Sequence, residues 1–302
     1  MMSPQPGQRG GSAKSSNNLP IDEKGRTTAL AIAPLSPELA RRTSSRVTRD
    51  LFDRRLRALR RDRAARMGVE LFLFDRAVEE CLDRLQDFAR PFERALLVGC
   101  PSLRWPAKLE EVARKVDVRE PGQLFASAAG GVQVEEDRFD FGDGAYDLCV
   151  AIGTLDTVND LPIALQQLRL ALRPNSPLIG AIAGGNSLPM LRASLIEAGR
   201  SEGRVVARTH PRIEAPTLAQ LLSAAGFTMP VVDVDRVSLR YSTLQDEVQD
   251  LRRMGATSVL AEHAKPLVRR EAMRAAEEFR RLGHNGRTEE QVEILHFLGW
   301  RQ

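Results

Sequence analysis

The segment from Glu93 to Glu120 constrains the fold more than any other part of the chain. An apolar run, Ala95–Val98, ends at Gly99, after which the pattern predicts a loop, a helix over Ala107–Arg114 and a second short strand that ends at Asp117. This is a strand–loop–helix–strand unit. In open α/β sheets built from such units, small ligands bind at the carboxyl ends of the strands, where the strand order reverses.

Gly99 and Asp117 are the positions of this unit that indicate a nucleotide-type cofactor site. Gly99 makes the turn after the first strand, and an acid at the end of the second strand can accept hydrogen bonds from a ribose diol. Both have a structural alternative, as a strand terminator and as a solvated strand-end acid. Residues 100–103 read Cys-Pro-Ser-Leu, where glycines would let the backbone approach a ligand closely. The scaffold of a cofactor site is present, and its glycine-rich loop is missing.

Short apolar runs alternate with helical periodicity from this unit to the end of the chain. Such alternation predicts a mainly parallel sheet with helices on both faces, in which a late terminal strand inserts antiparallel between the last two. The further predicted strands are Gly131–Glu135, Tyr146–Ile152, Pro177–Ala183, Val231–Tyr241 and Val292–Trp300. The predicted helices are Leu161–Leu172, Ser187–Ala198, one from Thr217 that ends at Gly226, Leu244–Met254 and Pro266–Leu282.

The amino-terminal part differs in composition from the rest. Residues 1–44 are rich in Gly, Ser, Pro, Asn and Gln, which predicts a disordered tail, with a transit peptide as the alternative. Residues 45–90 predict two helices, Ser45–Arg66 and Leu71–Phe88. The α/β domain is predicted over residues 91–302.

The first of these helices is rich in arginine. Between residues 41 and 66 there are eleven arginines and three aspartates, while the net charge of the whole chain is only +4, so the remainder is acidic on balance. We interpret this helix, with Arg57, Arg60 and Arg61, as a docking surface for a protein partner. A solvated face and pairing with the protein's own acids are the alternatives. Nucleic acid is not favoured, because no aromatic residues are interleaved with the arginines.

Composition also bears on the compartment. No run of about 18 apolar residues occurs, so no membrane span is predicted, and peripheral membrane association stays open. The three cysteines are isolated, which is typical of a reducing compartment: the bacterial cytoplasm or, alternatively, the mitochondrial matrix. The four histidines show no metal-ligand spacing.

Several longer motifs carry a family resemblance. They are LFDRRLRALRRDRAA (Leu51–Ala65), VNDLPIALQQLRLALRPNSPLIGAIAGGNSLPMLRASL (Val158–Leu195), AGFTMPVVDVD, LRRMGA and a final LGW. In this order, from about Leu51 to Trp300, the chain resembles the assembly factor 5 family of mitochondrial respiratory complex I and its α-proteobacterial relatives. These proteins are cousins of the malonyl-carrier methyltransferases of biotin synthesis.

The resemblance implies a Rossmann-like class I methyltransferase fold, with a seven-stranded, mainly parallel sheet, an antiparallel last strand and an N-terminal helical extension. It implies S-adenosylmethionine as cofactor and, for the mitochondrial member, hydroxylation of an arginine on a complex I subunit. Three motifs depart from the family. LDLGCGRG reads LLVGCPSLR, SLHWVNDLP reads GTLDTVNDLP, and DEEFLPF reads EEDRFDF.

The residues that the resemblance assigns to the site follow from these motifs. The cofactor-binding candidates are Gly99, Cys100, Asp117, Glu135, Glu136 and Ile152, with Glu135 or Glu136 beside the adenine amino group. The catalytic candidates are Asp156 and Arg192. Asp156 would be a base or orient a guanidinium, or else cap a helix; Arg192 would bind an anionic substrate or pair internally. Because of Pro101 and Leu103, we predict that S-adenosylmethionine binds weakly.

Three functions are therefore open. The first is a methyltransferase-fold protein of complex I assembly that acts on a protein arginine, with a complex I subunit or another assembly factor as partner. The second is an S-adenosylmethionine-dependent methyltransferase acting on a small or carrier-bound substrate. The third is a non-catalytic assembly or interaction protein that retained the fold.

Overall fold

The structure, a computed structural model, describes residues 50–88, 91–200, 207–262 and 264–302. The predicted tail and the beginning of the first predicted helix lie outside these residues. The described part belongs to one unit, Asp50–Gln302. No helix in it is both long and apolar enough to span a bilayer.

Seven strands form one sheet in the order β3-β2-β1-β4-β5-β7-β6. They are β1 (Ala95–Val98), β2 (Val116–Glu120), β3 (Val132–Gln133), β4 (Leu148–Ile152), β5 (Ser176–Ala183), β6 (Thr228–Tyr241) and β7 (Thr288–Arg301). The pairs among β1 to β5 are parallel, and β7 runs antiparallel between β5 and β6. The predicted seven-stranded sheet with an antiparallel last strand is confirmed.

Nine α-helices connect and cover these strands in the described residues. They are α1 (Arg54–Met67), α2 (Phe72–Gln86), α3 (Arg104–Leu109), α4 (Gln123–Ala128), α5 (Leu161–Ala171), α6 (Pro189–Arg200), α7 (Ala215–Ala224), α8 (Leu244–Arg253) and α9 (Arg269–Leu282). Side chains cap several of them. Asp53 accepts from the Leu56 amide at the start of α1, and Thr243 with Asp246 forms a capping box at the start of α8.

Some predicted boundaries are wrong. The helix predicted over Ala107–Arg114 begins at Arg104 and ends at Leu109, and α4 was not predicted. The second strand does not end at Asp117 but continues through Glu120, because its last residues pair with Val98 of β1 and with β3.

The core lies on both faces of the sheet. Leu97 and Val150 point into a cluster covered by α2, α3, α6 and α9, whereas Leu96 and Cys149 point into a cluster covered by α5 and α7. A strand that is buried on both faces has a continuous apolar sequence. This is why β1 and β4 can be predicted from the sequence. The parallel strands bring their carboxyl ends to one edge, where α1 makes its contacts.

Candidate functional site

The turn after β1 brings two strand ends close together. Gly99 has φ 84°, and a Cβ on it would lie 2.3 Å from the carbonyl oxygen of Ile152, the last residue of β4. Only glycine is accommodated there. The next amide, of Cys100, donates to Glu120 Oε2 at 2.7 Å. Three predicted cofactor residues, Gly99, Cys100 and Ile152, are thus brought together at the carboxyl edge of the sheet.

Cys100 is buried in this turn. Burial, with the charge of Glu120 beside it, raises the pKa of the Cys100 thiol to about 12. A thiol of that pKa stays protonated at neutral pH, so Cys100 contributes its backbone amide rather than a nucleophile.

Asp117 lies at the opposite end of the strands. It pairs in register with Leu96, next to the first residue of β1, and its carboxylate accepts from Arg94 Nε at 2.8 Å and from the Tyr146 hydroxyl at 3.2 Å. The prediction that Asp117 closes the second strand beside a ribose is therefore wrong. The sequence predicts a strand that ends at Asp117, whereas in the structure Asp117 is the second residue of β2.

The acid that does end β2 is Glu120, and it is fully buried. Its carboxylate accepts from the amides of Cys100 and Gly122, at 2.7 and 2.8 Å. It also forms a bidentate pair with Arg61 of α1, in which Nη2 donates to Oε2 at 2.8 Å and Nε donates to Oε1. A carboxylate offers about four lone-pair directions, and all of those on Glu120 are used.

Arg57 makes a second buried pair one helical turn earlier. Its two terminal nitrogens donate to both oxygens of Glu136, at 2.6 and 2.8 Å, and Nη2 also donates to the Thr154 carbonyl at 2.7 Å. Burial opposes the guanidinium charge, but Glu136, together with the charges of Glu120 and Asp156, outweighs it and raises the pKa of Arg57 above its ordinary value. Glu136, which was predicted to lie beside the adenine amino group, is thus paired with Arg57 of the same chain.

Arg54 continues the series on the same helix face. Its Nη2 donates to Asp137 Oδ2 at 2.7 Å, and its Nη1 lies 3.3 Å from Glu135 Oε2. Residues 54, 57 and 61 are spaced by three and four, so they share one face of α1. The interpretation of Arg57 and Arg61 as a docking surface is wrong, because both are buried in internal ion pairs.

These contacts decide how the site fits S-adenosylmethionine. The glycine turn and the acid at the end of β2 are in place, as a ribose-binding edge requires. However, the Arg61 guanidinium sits on Glu120 and leaves no acceptor for a ribose diol. In this arrangement the residues do not fit the ribose of the cofactor.

A cavity of about 100 Å³ lies next to the arginine pairs, at the carboxyl ends of β4, β5 and β6 and under α1, α2 and α8. Most of its wall is apolar. The polar groups that line it are Arg57, Arg61, Asp156, Thr157, His210, Arg212, Tyr241, Glu247, Asp250 and Thr257. A cavity of this size has room for several water molecules or for a long side chain of a partner.

Asp156 lines the cavity from the short 3₁₀ helix Leu155–Thr157. Arg212 Nη1 lies 3.4 Å from its Oδ2. The alternative that Asp156 caps the following helix is wrong, because Asp160 makes that cap by accepting from the Ile163 amide.

His210 also lines the cavity, near Asp156. Its Nε2 accepts from the Val259 amide at 2.8 Å, and burial lowers the pKa of His210 to about 4. At neutral pH the ring is uncharged, and its Nε2 lone pair already accepts the Val259 amide, so that nitrogen is not free to act as a base.

Glu247 and Asp250 line the cavity from α8. Glu247 is fully buried, and neither of its oxygens has a hydrogen-bond partner among the described residues. Burial, together with the nearby charges of Glu290 and Asp250, raises the pKa of Glu247 to about 8.

The comparisons with known proteins give relatives over most of the chain. The mitochondrial arginine-hydroxylase NDUFAF5 of Homo sapiens is 31% identical over 277 residues, which is 86% of this chain and 80% of the human protein. The Danio rerio protein of the same name is 30% identical over 277 residues, 85% of each chain. The chain belongs to the NDUFAF5 family.

More distant matches agree with the fold. A malonyl-[acyl-carrier protein] O-methyltransferase of Laribacter hongkongensis is 28% identical over 182 residues, 59% of each chain. A Bacillus halodurans protein described as a methyltransferase superposes with a TM-score of 0.52 at 11% identity, over 74% of this chain and 99% of its own. No family model matches the chain. This NDUFAF5-family chain therefore has the class I methyltransferase fold.

Arg192 was assigned to the site but does not line the cavity. Its Nη2 donates to the carbonyls of Gly185 and Ser187, both at 3.3 Å, in the loop before its own helix. Among the residues that the structure describes, no group of three or more His, Cys, Asp or Glu side chains is placed to hold a metal ion. In this family member, Asp156 is thus the assigned catalytic residue that reaches the cavity.

Sequence reasoning missed Glu120 and Glu247. Glu120 is the last residue of the segment Glu93–Glu120, but its role depends on partners that are distant in sequence. Glu247 had a signal: Leu244, Val248 and Leu251 form the apolar face of α8, and a glutamate at position 247 falls on that same face.

Proposed function

We propose that this NDUFAF5-family protein acts in the assembly of respiratory complex I, where it modifies an arginine side chain of a protein partner. The observation that carries the proposal is the match to arginine-hydroxylases over 86% of the chain. The partner is a complex I subunit, or an assembly factor that presents one. The cavity supports this reading, because carboxyl groups line it among mostly apolar walls.

The reaction that we infer from the relatives is hydroxylation. A C–H bond of the arginine side chain becomes C–OH, one oxygen atom of O₂ enters the product, and the other leaves as water. An external two-electron donor supplies the electrons, together with two protons. The chain's own residues hold the side chain and surround it with apolar walls that keep bulk water away.

The compartment belongs to the same proposal. The vertebrate relatives are mitochondrial proteins. We infer the mitochondrial matrix or its bacterial counterpart, the cytoplasm. Both are reducing, which agrees with three buried cysteines that form no disulfide.

Removal of the gene tests the assembly role. We expect membranes of cells that lack the gene to contain less fully assembled complex I on native gels, with in-gel NADH dehydrogenase activity reduced in parallel. Expression of the wild-type chain should restore both. Normal complex I in the deletion strain, with the other respiratory complexes unchanged, would contradict the proposal.

A further inference from the structure

Glu247 is the buried carboxyl group of the described structure whose two oxygens both lack a hydrogen-bond partner. Its side chain is fully buried, it faces the cavity, and the described residues give neither of its oxygens a hydrogen bond. By contrast, the buried acids Glu120, Glu136 and Glu290 each accept hydrogen bonds. Leaving a carboxyl unpartnered in an apolar site is unfavourable, so such a group indicates a partner that the isolated chain lacks.

We propose that Glu247 is the recognition group for the guanidinium of the arginine substrate. This inference rests on the proposed function and names the residue that gives it specificity. Asp250 lies one turn further along the same helix and lines the same cavity. A guanidinium at Glu247 would supply the two parallel N–H donors that both carboxyl oxygens lack.

The walls beside Glu247 suit the rest of an arginine side chain. Leu251, Val292 and Ile294 line this part of the cavity, and apolar walls of this kind accommodate a chain of methylene groups. The arginines that line the cavity do not compete for Glu247. Arg57 and Arg61 are held by Glu136 and Glu120, and Arg212 lies beside Asp156.

Other cations fit this position less well. A metal ion requires further ligands, and no group of three or more metal-binding side chains is found in the described residues. An ammonium group is a compact, strongly hydrated charge, whereas a guanidinium is planar and more weakly hydrated, which favours it in a buried site.

Protonation gives the site a measurable property. Burial and the charges of Glu290 on β7 and Asp250 on α8 keep Glu247 largely protonated near pH 7. Tyr241 at the end of β6 also lines the cavity and stays protonated there, because burial raises its pKa. A guanidinium stabilises the ionised carboxylate, so binding should release protons from Glu247.

Calorimetric titration of the purified full-length chain tests the proposal. The probes are Nα-acetyl-arginine amide and Nα-acetyl-citrulline amide, which share a shape but differ in charge. We expect the arginine probe to bind at least about tenfold more tightly than the citrulline probe. Titrations near pH 7 in buffers of different ionisation enthalpy should show net proton release.

The variant Glu247→Gln should lose the preference for arginine and the proton release. The matched control is Glu289→Gln, an exposed glutamate paired with Arg240, and it should behave as wild type. A thermal melt shows whether each variant is folded, and Glu247→Leu provides a second variant with no hydrogen-bonding group. Equal affinity for both probes, an unchanged Glu247→Gln, or no saturable binding by the wild type would overturn the proposal.

This experiment separates the inference from the assembly role. If the chain binds arginine through Glu247 while complex I assembles normally without the gene, the recognition site stands and the proposed function fails. If assembly depends on the gene while Glu247→Gln binds arginine as wild type does, the function stands and the inference fails.

Discussion

Glu247 shows how a single side chain can mark a binding site before its ligand is identified. Its carboxyl is fully buried, and it lines a cavity whose wall is mostly apolar. A buried polar group without a partner costs about 1–3 kcal/mol of stability. The four acceptor directions of Glu120, which is buried just as deeply, are all used. The contrast between these two acids separates a structural carboxylate from one that awaits a partner.

The pH dependence of stability should report the state of Glu247. Its pKa rises from 4.5 to about 8 in the folded chain, so the folded state binds the proton more tightly than the unfolded state. Its stabilising contribution is full below pH 4.5 and is lost as the pH rises to about 8, by at most about 1.4 kcal/mol per pH unit. Glu247→Gln lacks this titration.

Chemical denaturation between pH 4.5 and about 8 measures the free energy of unfolding of the wild type and of Glu247→Gln. The neighbouring groups Asp250, Glu290 and Tyr241 are the same in both proteins, so their contributions to stability largely cancel. We expect the wild type to lose stability relative to the variant as the pH rises. Parallel curves would show that the carboxyl titrates normally and is not held in an apolar site.

Among the helices and strands, α1 departs most from its predicted role as a docking surface. Three of its arginines, at 54, 57 and 61, pair with acids that follow or end β2 and β3 and lie 83, 79 and 59 residues away in sequence. Such pairs are costly to break, because removal of one partner leaves a buried charge without compensation. The helix is therefore held to the carboxyl edge of the sheet by its charged face.

The variant Arg61→Ala tests this attachment. We expect it to lower the free energy of unfolding by about 3–5 kcal/mol, because Glu120 stays buried without its cation. Arg66→Ala, at an exposed arginine of the same helix, should change it by less than about 0.5 kcal/mol. Urea unfolding of both variants gives the values. Equal effects of the two substitutions would mean that the buried pair contributes no more than a surface charge.

The same helix determines our expectation for S-adenosylmethionine. We expect the wild-type chain to bind it with a dissociation constant of tens to hundreds of micromolar, because Arg61 holds Glu120 and Pro101 interrupts the loop. Where Arg61→Ala remains folded, it should bind about tenfold more tightly, since Glu120 regains free acceptors. Low-micromolar affinity of the wild type in calorimetric titration would contradict this account.

The sequence predicted the elements better than the site, and the reason is physical. Strands such as β1 and β4 are buried on both faces, so their apolar runs are visible locally. Asp117 and Glu120 lie three residues apart on one strand, and local pattern alone does not tell which of them reaches the carboxyl edge. Arg57 and Arg61 are buried because they pair with acids that are distant in sequence. Their local sequence shows only a run of arginines, which predicts an exposed face.

At the scale of the whole molecule, the arginine pairs and the cavity form one continuous region. Arg57 and Arg61 belong to both, since they hold the acids at the ends of β2 and β3 and also line the cavity. Arg61 occupies the acceptors of Glu120 that a ribose would need, whereas the cavity lies at the carboxyl ends of β4, β5 and β6. The family match and this cavity support action on a partner's arginine.

Peptide mass spectrometry of complex I subunits tests whether this protein modifies an arginine of one of them. Subunits are isolated from cells that have the gene, from cells that lack it, and from deletion cells that express Glu247→Gln or Glu289→Gln. We predict that one subunit arginine carries an additional oxygen atom in the wild type and with Glu289→Gln, and that it is unmodified in the deletion and with Glu247→Gln. An added methylene group instead would indicate methyl transfer, and arginines that are identical in all four samples would contradict the claim that this protein modifies an arginine.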